Sequence, residues 1–173
     1  MLCATQQIFS RLLLTTRLVI FLFFTLSTFI CQPAAALLQQ YQDAPGIMQY
    51  KSQHRLQDEA GYTWQVVLFK QIKSEQSAEI DLRLVGFPGV AEFVHPYSLE
   101  IITENGKLLI AEDEFAQASP SPNVGQYNLS DIIDRLPQNE SLILSLPLAG
   151  EKNISLKIPQ PLVIEWQWLA KEI

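Results

Sequence analysis

Residues 97–111, with the sequence YSLEIITENGKLLIA, decide the fold because they encode a β-hairpin. Two apolar runs flank Asn105-Gly106, and this dipeptide favours a type I′ turn, in which both central residues need a positive φ. A turn as short as this joins antiparallel strands, since parallel strands need a long crossover. The stretch therefore predicts an antiparallel hairpin.

Five further runs have the composition of strands, and several alternate apolar and polar residues with a period of two. In the run 79–85, Ile80 and the two leucines face one side while Asp81 and Arg83 face the other, as in a half-solvated antiparallel strand. The centre of the run 63–73 is apolar on both faces, which predicts burial on both sides. The other predicted strands cover residues 48–56, 142–146 and 154–158, and the last two form a second hairpin.

Two segments have the apolar spacing of helices. The first begins after the N-cap residue Asn128, ends at Pro137 and predicts one short amphipathic helix. The tail, residues 161–173, fits a helix but also a strand that alternates from Ile164 to Trp168; we favour the helix because it starts with proline. With about seven strands, the sequence predicts a mainly β fold, an antiparallel β-sandwich or open barrel with one short helix and a C-terminal helix.

Residues 1–36 have the order of features that defines a secretory signal peptide. The segment holds two arginines and no acidic residue, continues with an apolar run and ends in three alanines. This order predicts export with cleavage between Ala36 and Leu37. The alternative is a retained membrane anchor, although the apolar run is shorter than the ~20 residues of a spanning helix.

Cleavage at this position leaves a single domain. We predict that residues 37–46 are a mobile lead-in and that residues 47–173 form one β-rich domain without a transmembrane helix. Both cysteines, Cys3 and Cys31, lie in the signal segment, so the exported chain has no disulfide and no cysteine ligand or nucleophile. Secretion without disulfides favours a bacterial type of destination.

The exported chain is acidic. The full sequence has 18 Asp and Glu against 12 Lys and Arg, and removing two arginines and no acid takes the net charge from −6 to −8. Scattered cations on an acidic surface do not form the electrostatic footprint that nucleic acid requires. We therefore predict no nucleic-acid partner.

Catalytic and metal chemistry find little support in the sequence. The two histidines are His54, in a predicted strand, and His95, and a metal site would need both to converge with a carboxylate such as Glu92. The motifs of serine and cysteine nucleophiles do not occur. The acidic run 112–114 lacks the spacing of a calcium loop and is predicted to be a solvated face. We therefore predict no metal, no cofactor and no catalytic residue.

We predict that a partner docks at apolar or hydrogen-bonding side chains that have no evident structural role. In the helical tail, Ile164 and Trp168 fall opposite the main apolar face, and tryptophan is frequent at interface centres. The other candidates are Phe87 in a glycine-bounded bend, and Asn123 and Tyr127 in a proline-rich loop. The alternative is structural in each case, either a helix buried on two sides or a loop that shapes a crossover.

Four strings carry a resemblance to a known family. They are WQVVLFK at 64–70, LRLVGFPG at 82–89, PNVGQYNL at 122–129 and EWQ at 165–167. Together with the signal peptide and the size, these strings resemble a small cyanobacterial family recorded as a domain of unknown function, number 3122, over residues 45–170. The resemblance implies a cyanobacterial protein exported to the periplasm or the thylakoid lumen. It implies no activity, because none of the strings is a catalytic motif.

These observations predict a non-enzymatic exported domain that acts by binding, as an accessory factor of an envelope or thylakoid-membrane protein complex. One alternative is a carrier that holds a small apolar ligand in its β core. Another is a hydrolase whose active site is assembled from dispersed residues.

Overall fold

The computed structural model describes Arg17 and residues 39–44, 47–73, 78–150 and 154–171. The chain divides into the units Met1–Ala35 and Ala36–Ile173, and the fold described here is that of the second unit. Its strands are β1 (Gln39–Ala44), β2 (Ile47–Gln57), β3 (Thr63–Lys73), β4 (Glu79–Val85), β5 (Leu99–Thr103), β6 (Leu108–Asp113), β7 (Val124–Asn128), β8 (Leu142–Leu146) and β9 (Ile154–Ile158). A 3-10 helix, Ile133–Arg135, precedes β8, and the helix α1, Gln160–Lys171, follows β9.

The described strands form one sheet in the order β1-β2-β3-β4-β7-β6-β5-β8-β9, and each neighbouring pair is antiparallel. The predicted mainly β, antiparallel class is therefore confirmed, in the form of one sheet that does not close into a barrel. Helix α1 packs against β2, β3 and the 3-10 helix, and β9 also contacts β2. The sheet thus curls around one apolar core with the helix on its inner side.

The hairpin predicted at 97–111 is confirmed, since β5 and β6 pair through Ile102 and Leu108. Its turn is of a different type, because Gly106 has a φ of +80° whereas no non-glycine residue among those described has a positive φ. The Gly106 N–H donates to the carbonyl of Thr103 (2.9 Å), and the Thr103 hydroxyl accepts from the N–H of Lys107 (2.9 Å). These bonds hold a three-residue loop that needs a left-handed backbone only at the glycine.

Two strands were missed by the sequence analysis, and both lie in segments rich in polar or turn residues. Gln39–Ala44 pairs with β2 and lies within the segment predicted as a lead-in without regular structure. Val124–Asn128 pairs with both β4 and β6, although its glycine and the preceding prolines indicated a loop. A Cβ on Gly125 would lie 2.9 Å from the ring of Phe93, so the glycine permits close packing rather than a turn.

The two predicted helices had different outcomes. The amphipathic helix predicted after Asn128 is reduced to the single 3-10 turn Ile133–Arg135. The reason is that Leu129 still follows the sheet, where its N–H donates to the carbonyl of Ile80 (2.8 Å). The C-terminal helix is confirmed over the strand alternative, because Gln160–Lys171 is one continuous α-helix.

The core lies between the concave side of the sheet and α1. Its largest fully buried side chains are Trp64, Trp166 and Tyr127, surrounded by leucine and isoleucine from β3, β4, β5, β6, β8 and β9. Lys70 is buried on this side and its Nζ donates to the carbonyl of Ala170 (2.6 Å) near the end of α1. A cation at this position stabilises the last turn, where unpaired carbonyls carry partial negative charge.

Candidate docking surface

The predicted docking residues of the proline-rich loop belong to the core. Asn123 is buried; its Nδ2 donates to the carbonyl of Gly86 (2.8 Å), and its Oδ1 accepts from the hydroxyl of Ser121 (2.6 Å). Tyr127 is fully buried on β7, and this burial raises the pKa of its phenol. Neither side chain is accessible to a partner, so the structure corrects the prediction for these two residues.

The other predicted docking residues are accessible. Trp168 on α1 and Phe87 in the bend after β4 are each 66% exposed, while Ile164 is half-buried. The bend is held tightly, because a Cβ on Gly86 would lie 2.5 Å from that of Ala91. These residues remain candidates, and they lie on two separate elements of the fold.

The two histidines do not converge. Nε2 of His54 lies 3.1 Å from both carboxylate oxygens of Glu165, which connects β2 to α1. Nδ1 of His95 lies 2.7 Å from Oδ2 of Asp113 at the end of β6. In the part of the chain that the structure describes, no group of three metal-ligating side chains is close enough to hold an ion.

His95 and Asp113 have the relation of a base and its orienting carboxylate. Nε2 of His95, the atom that would act as the base, is buried without a hydrogen-bond partner. A general base must come within hydrogen-bond distance of the proton that it removes. The geometry of this pair therefore supports packing at the end of the sheet, where the ring of Phe115 lies 6.5 Å from the imidazole.

An exposed apolar surface lies on the hairpin strands β5 and β6 and on the neighbouring strand β8. On the convex side of the sheet, Ile102 of β5 pairs with Leu108 of β6 and with Ile143 of β8. Leu108 is 49% exposed, Ile143 is 40% exposed and Ile102 is half-buried. Side chains directly opposite each other on neighbouring strands are in contact range. These three residues therefore form a continuous aliphatic row across three strands.

A fourth aliphatic residue extends this row. Ile110, which is 55% exposed, follows Leu108 on the same face of β6 and lies diagonally opposite Ile102. We call the surface formed by Ile102, Leu108, Ile110 and Ile143 the β5 face. The signal for it was in the sequence, because the pairs Ile101-Ile102 and Leu109-Ile110 place apolar residues on both sides of their strands.

Two polar grooves border the β5 face. The first has a volume of about 550 Å³ and is lined by Glu100, Tyr97, Ser145 and Pro147, among others. Glu100 stands directly between Ile110 and Ser145 in the strand register, so this groove opens from the edge of the aliphatic row. The second groove, of about 500 Å³, has Ile110 in its wall and is lined by the acidic residues Glu79, Glu112 and Asp131 and by Arg135.

The other half of the convex side also carries apolar residues, but these are covered. We call the surface formed by Val67, Phe69, Asp81, Arg83 and Gln126 the β4 face. Val67 and Phe69 point away from the core and are nevertheless buried. The guanidinium of Arg83 lies 5.3 Å from the centroid of the Phe69 ring, which is the range of a cation–π interaction.

Side-chain hydrogen bonds hold Arg83 in this position. Nε and Nη2 of Arg83 donate to Oε1 of Gln126 (2.9 and 2.6 Å), and Nε2 of Gln126 donates to Oδ2 of Asp81 (3.1 Å). Burial raises the pKa of Asp81 from 3.8 to about 6, with smaller contributions from Glu114 and Glu79, while the Gln126 hydrogen bond opposes the shift. The apolar side chains of the β4 face are thus largely covered by other side chains of the sheet, beside a groove of about 430 Å³ that Val67 and Phe69 help to line.

Comparison with known proteins identifies a family. A family model described as "Protein of unknown function (DUF3122)" matches residues 36–169. The chain therefore belongs to this family, as its sequence strings predicted. No curated protein matches the chain. No solved structure matches it either. Among the described residues, no helix is long and apolar enough to cross a membrane.

Proposed function

We propose that this member of the DUF3122 family is a non-enzymatic binding domain that docks a protein partner on its β5 face. The observation that carries the proposal is the aliphatic row formed by Leu108, Ile102 and Ile143 on a solvent-facing side of the sheet. Single exposed apolar residues are common on soluble proteins, but a contiguous apolar surface bordered by polar residues is typical of an interaction site.

The partner would gain hydrophobic contact from side chains that the free protein leaves half in water. Burying apolar surface is worth roughly 25 cal/mol per Å², so three or four aliphatic side chains can supply a large part of a binding energy. The grooves beside the β5 face add polar groups at its edge. A centre of apolar residues inside a polar rim is the usual anatomy of a protein interface.

The proposal includes a compartment and a type of partner. The signal-like order of residues 1–36 supports export to the periplasm or the thylakoid lumen. In either compartment the domain would act as an accessory factor of an envelope or thylakoid-membrane protein complex. The acidic charge of the exported chain supports a protein partner over an anionic membrane surface or nucleic acid.

Native fractionation tests the proposal. A tagged full-length protein would be followed in its native host, before and after mild detergent, as the wild type and as the double variant Leu108→Ser, Ile143→Ser. We expect the wild type to migrate with a larger complex and the double variant to migrate at the size of the free protein. Phe87→Ser is the control, because it removes an even more exposed apolar side chain from another part of the molecule.

Two results would contradict the proposal. If the wild type migrates as a free monomer under every condition, stable docking does not occur. If Trp168→Ala releases the complex while the double variant retains it, the docking surface is the exposed side of α1 instead of the β5 face. The second result would assign docking to Trp168, as the sequence of the tail predicts.

A further inference from the structure

We infer that the segment that docks on the β5 face carries a lysine or arginine beside its apolar residues, and that Glu100 receives this charge. The inference rests on the proposed function and names the chemistry of the partner. It is drawn from the position of Glu100, from the charges around the β5 face and from the shape of the adjoining groove.

Glu100 lies at the point where the aliphatic row meets the first groove. It points outward from β5, is exposed, and has Ile110 and Ser145 as its partners on the two neighbouring strands. It also lines the groove of about 550 Å³, and it is the one charged side chain among the described residues of that lining. Within the described residues, Glu100 has no hydrogen bond or ion pair. A partner on the β5 face therefore meets one unmatched negative charge.

A cation also lies beside the aliphatic row. Lys157 on β9 pairs with Ile143 and thus ends the row on the side away from β6. The hydroxyl and the N–H of Ser141 hold the pKa of Glu104 below its usual range, and the charge of Lys157 adds to this effect. The charge of Lys157 therefore also acts on Glu104, whereas Glu100 forms no ion pair with any of the residues that the structure describes.

The second groove has the same sign of charge. On the other side of Ile110 it brings three carboxylates, those of Glu79, Glu112 and Asp131, together with Arg135, the one cation among its described lining residues. Like charges disfavour a partner of the same sign, while an opposite charge fixes the register of docking. The apolar centre therefore selects aliphatic side chains and its acidic border selects a cation beside them.

The first groove also suits the shape of a long basic side chain. Lysine and arginine bury their aliphatic stems along apolar surface while the charged end reaches a polar group. Pro147 and Leu148 provide apolar wall in this groove, and the exposed ring of Tyr97 offers a face for a cation near Glu100. A second copy of this chain fits less well, because it would bring the same acidic border against itself.

Site-specific photocrosslinking in the native host tests the inference. The full-length protein would carry p-benzoylphenylalanine at position 97, 143 or, as a second surface, 168, and crosslinked peptides would be sequenced by mass spectrometry. We expect adducts from positions 97 and 143, with a lysine or arginine within a few residues of the position-97 adduct.

Glu100→Gln should lower the crosslinking yield at position 97 by about fivefold or more, as expected for loss of a close charge pair. Glu59→Gln, an exposed carboxylate on the β2–β3 turn, is the matched control and should leave the yield unchanged.

Each other outcome decides against one of the two proposals. Adducts from position 143 with peptides that lack a nearby basic residue would overturn the charge inference and leave the docking proposal standing. The same holds if Glu100→Gln leaves the yield at position 97 unchanged. Adducts from position 168 alone, with lipid, with a second copy of this chain, or from none of the three positions would overturn docking of another protein on the β5 face as well.

Discussion

The convex side of this sheet is built in two halves that treat apolar residues differently. On the β4 face, Val67 and Phe69 point toward solvent but are buried under Arg83, which Gln126 holds in place. On the β5 face, the equivalent outward positions hold leucine and isoleucine that nothing among the described residues covers. On one half of the convex side, the outward apolar side chains are therefore covered by other side chains of the sheet, and on the other half they are exposed to solvent.

The difference indicates what the open half is for. Phe69 is covered because Arg83 on β4 and Gln126 on the neighbouring strand β7 lie opposite each other in the strand register and are hydrogen-bonded. Under the proposed function, a protein partner would bury the aliphatic residues that the β5 face leaves exposed. Mutations should therefore separate the two faces, with a large effect on folding at the β4 face and a small one at the β5 face.

Phe69→Ala should give the largest effect. The side chain is almost fully buried, so its loss removes apolar contact and leaves a cavity under Arg83, which we expect to cost about 3 kcal/mol of unfolding free energy. Urea unfolding, followed by tryptophan fluorescence, measures this change. Phe87→Ala is the control and should cost less than about 0.5 kcal/mol, because Phe87 is exposed. Equal losses at the two positions would show that Phe69 is not covered in solution.

The pH dependence of Asp81 gives the second effect and tests whether the cover of the β4 face is closed. Its pKa is raised from 3.8 to about 6 by burial first and by Glu114 and Glu79 next. Between these values the unfolded chain releases its proton before the folded one does, so stability falls as the pH rises from about 4 to about 6. The penalty is absent below about pH 4 and fully present above about pH 6.

Asp81→Asn should remove this penalty. We expect the stability advantage of the variant over the wild type to grow by roughly 1–2 kcal/mol as the pH rises from 4 to 7, after allowance for solvent screening. The asparagine can still accept the hydrogen bond from Nε2 of Gln126. Unfolding free energies of the two proteins across this range provide the measurement. If the two curves run parallel, the carboxylate is solvated and the β4 face is more open than the structure shows.

The sequence was sufficient for the fold class because the pattern of alternation is local. The strands β3, β4 and β9 were predicted at the bounds that the structure has, since each alternates or is apolar between clear turn residues. β1 and β7 could not be predicted in this way. β1 is rich in glutamine, which does not indicate a strand. β7 contains Gly125, which is needed because the ring of Phe93 packs against its backbone. This contact joins residues that are distant in sequence.

The candidate surface was harder to predict than the fold. The sequence predicted that Asn123 and Tyr127 lie in an accessible loop, because prolines precede them. They are buried because β7 pairs with β4 and β6 in the sheet. The β5 face requires the register of three strands, because only pairing brings Ile102 between Leu108 and Ile143. Sequence spacing can place a residue on one side of a strand, but it does not show which outward sides are covered.

The smallest expected effect on stability belongs to the β5 face itself. Ile143→Thr keeps a β-branched residue suited to a strand and removes apolar surface from a side chain that is 40% exposed, so the unfolding free energy should change by less than about 0.5 kcal/mol. Leu144→Thr, one residue along β8 and fully buried, is the matched control and should cost more than about 2 kcal/mol. Urea unfolding of both variants provides the measurement. A loss above about 1 kcal/mol for Ile143→Thr would mean that the free protein already buries this face, and the contrast between the two halves of the sheet would fail.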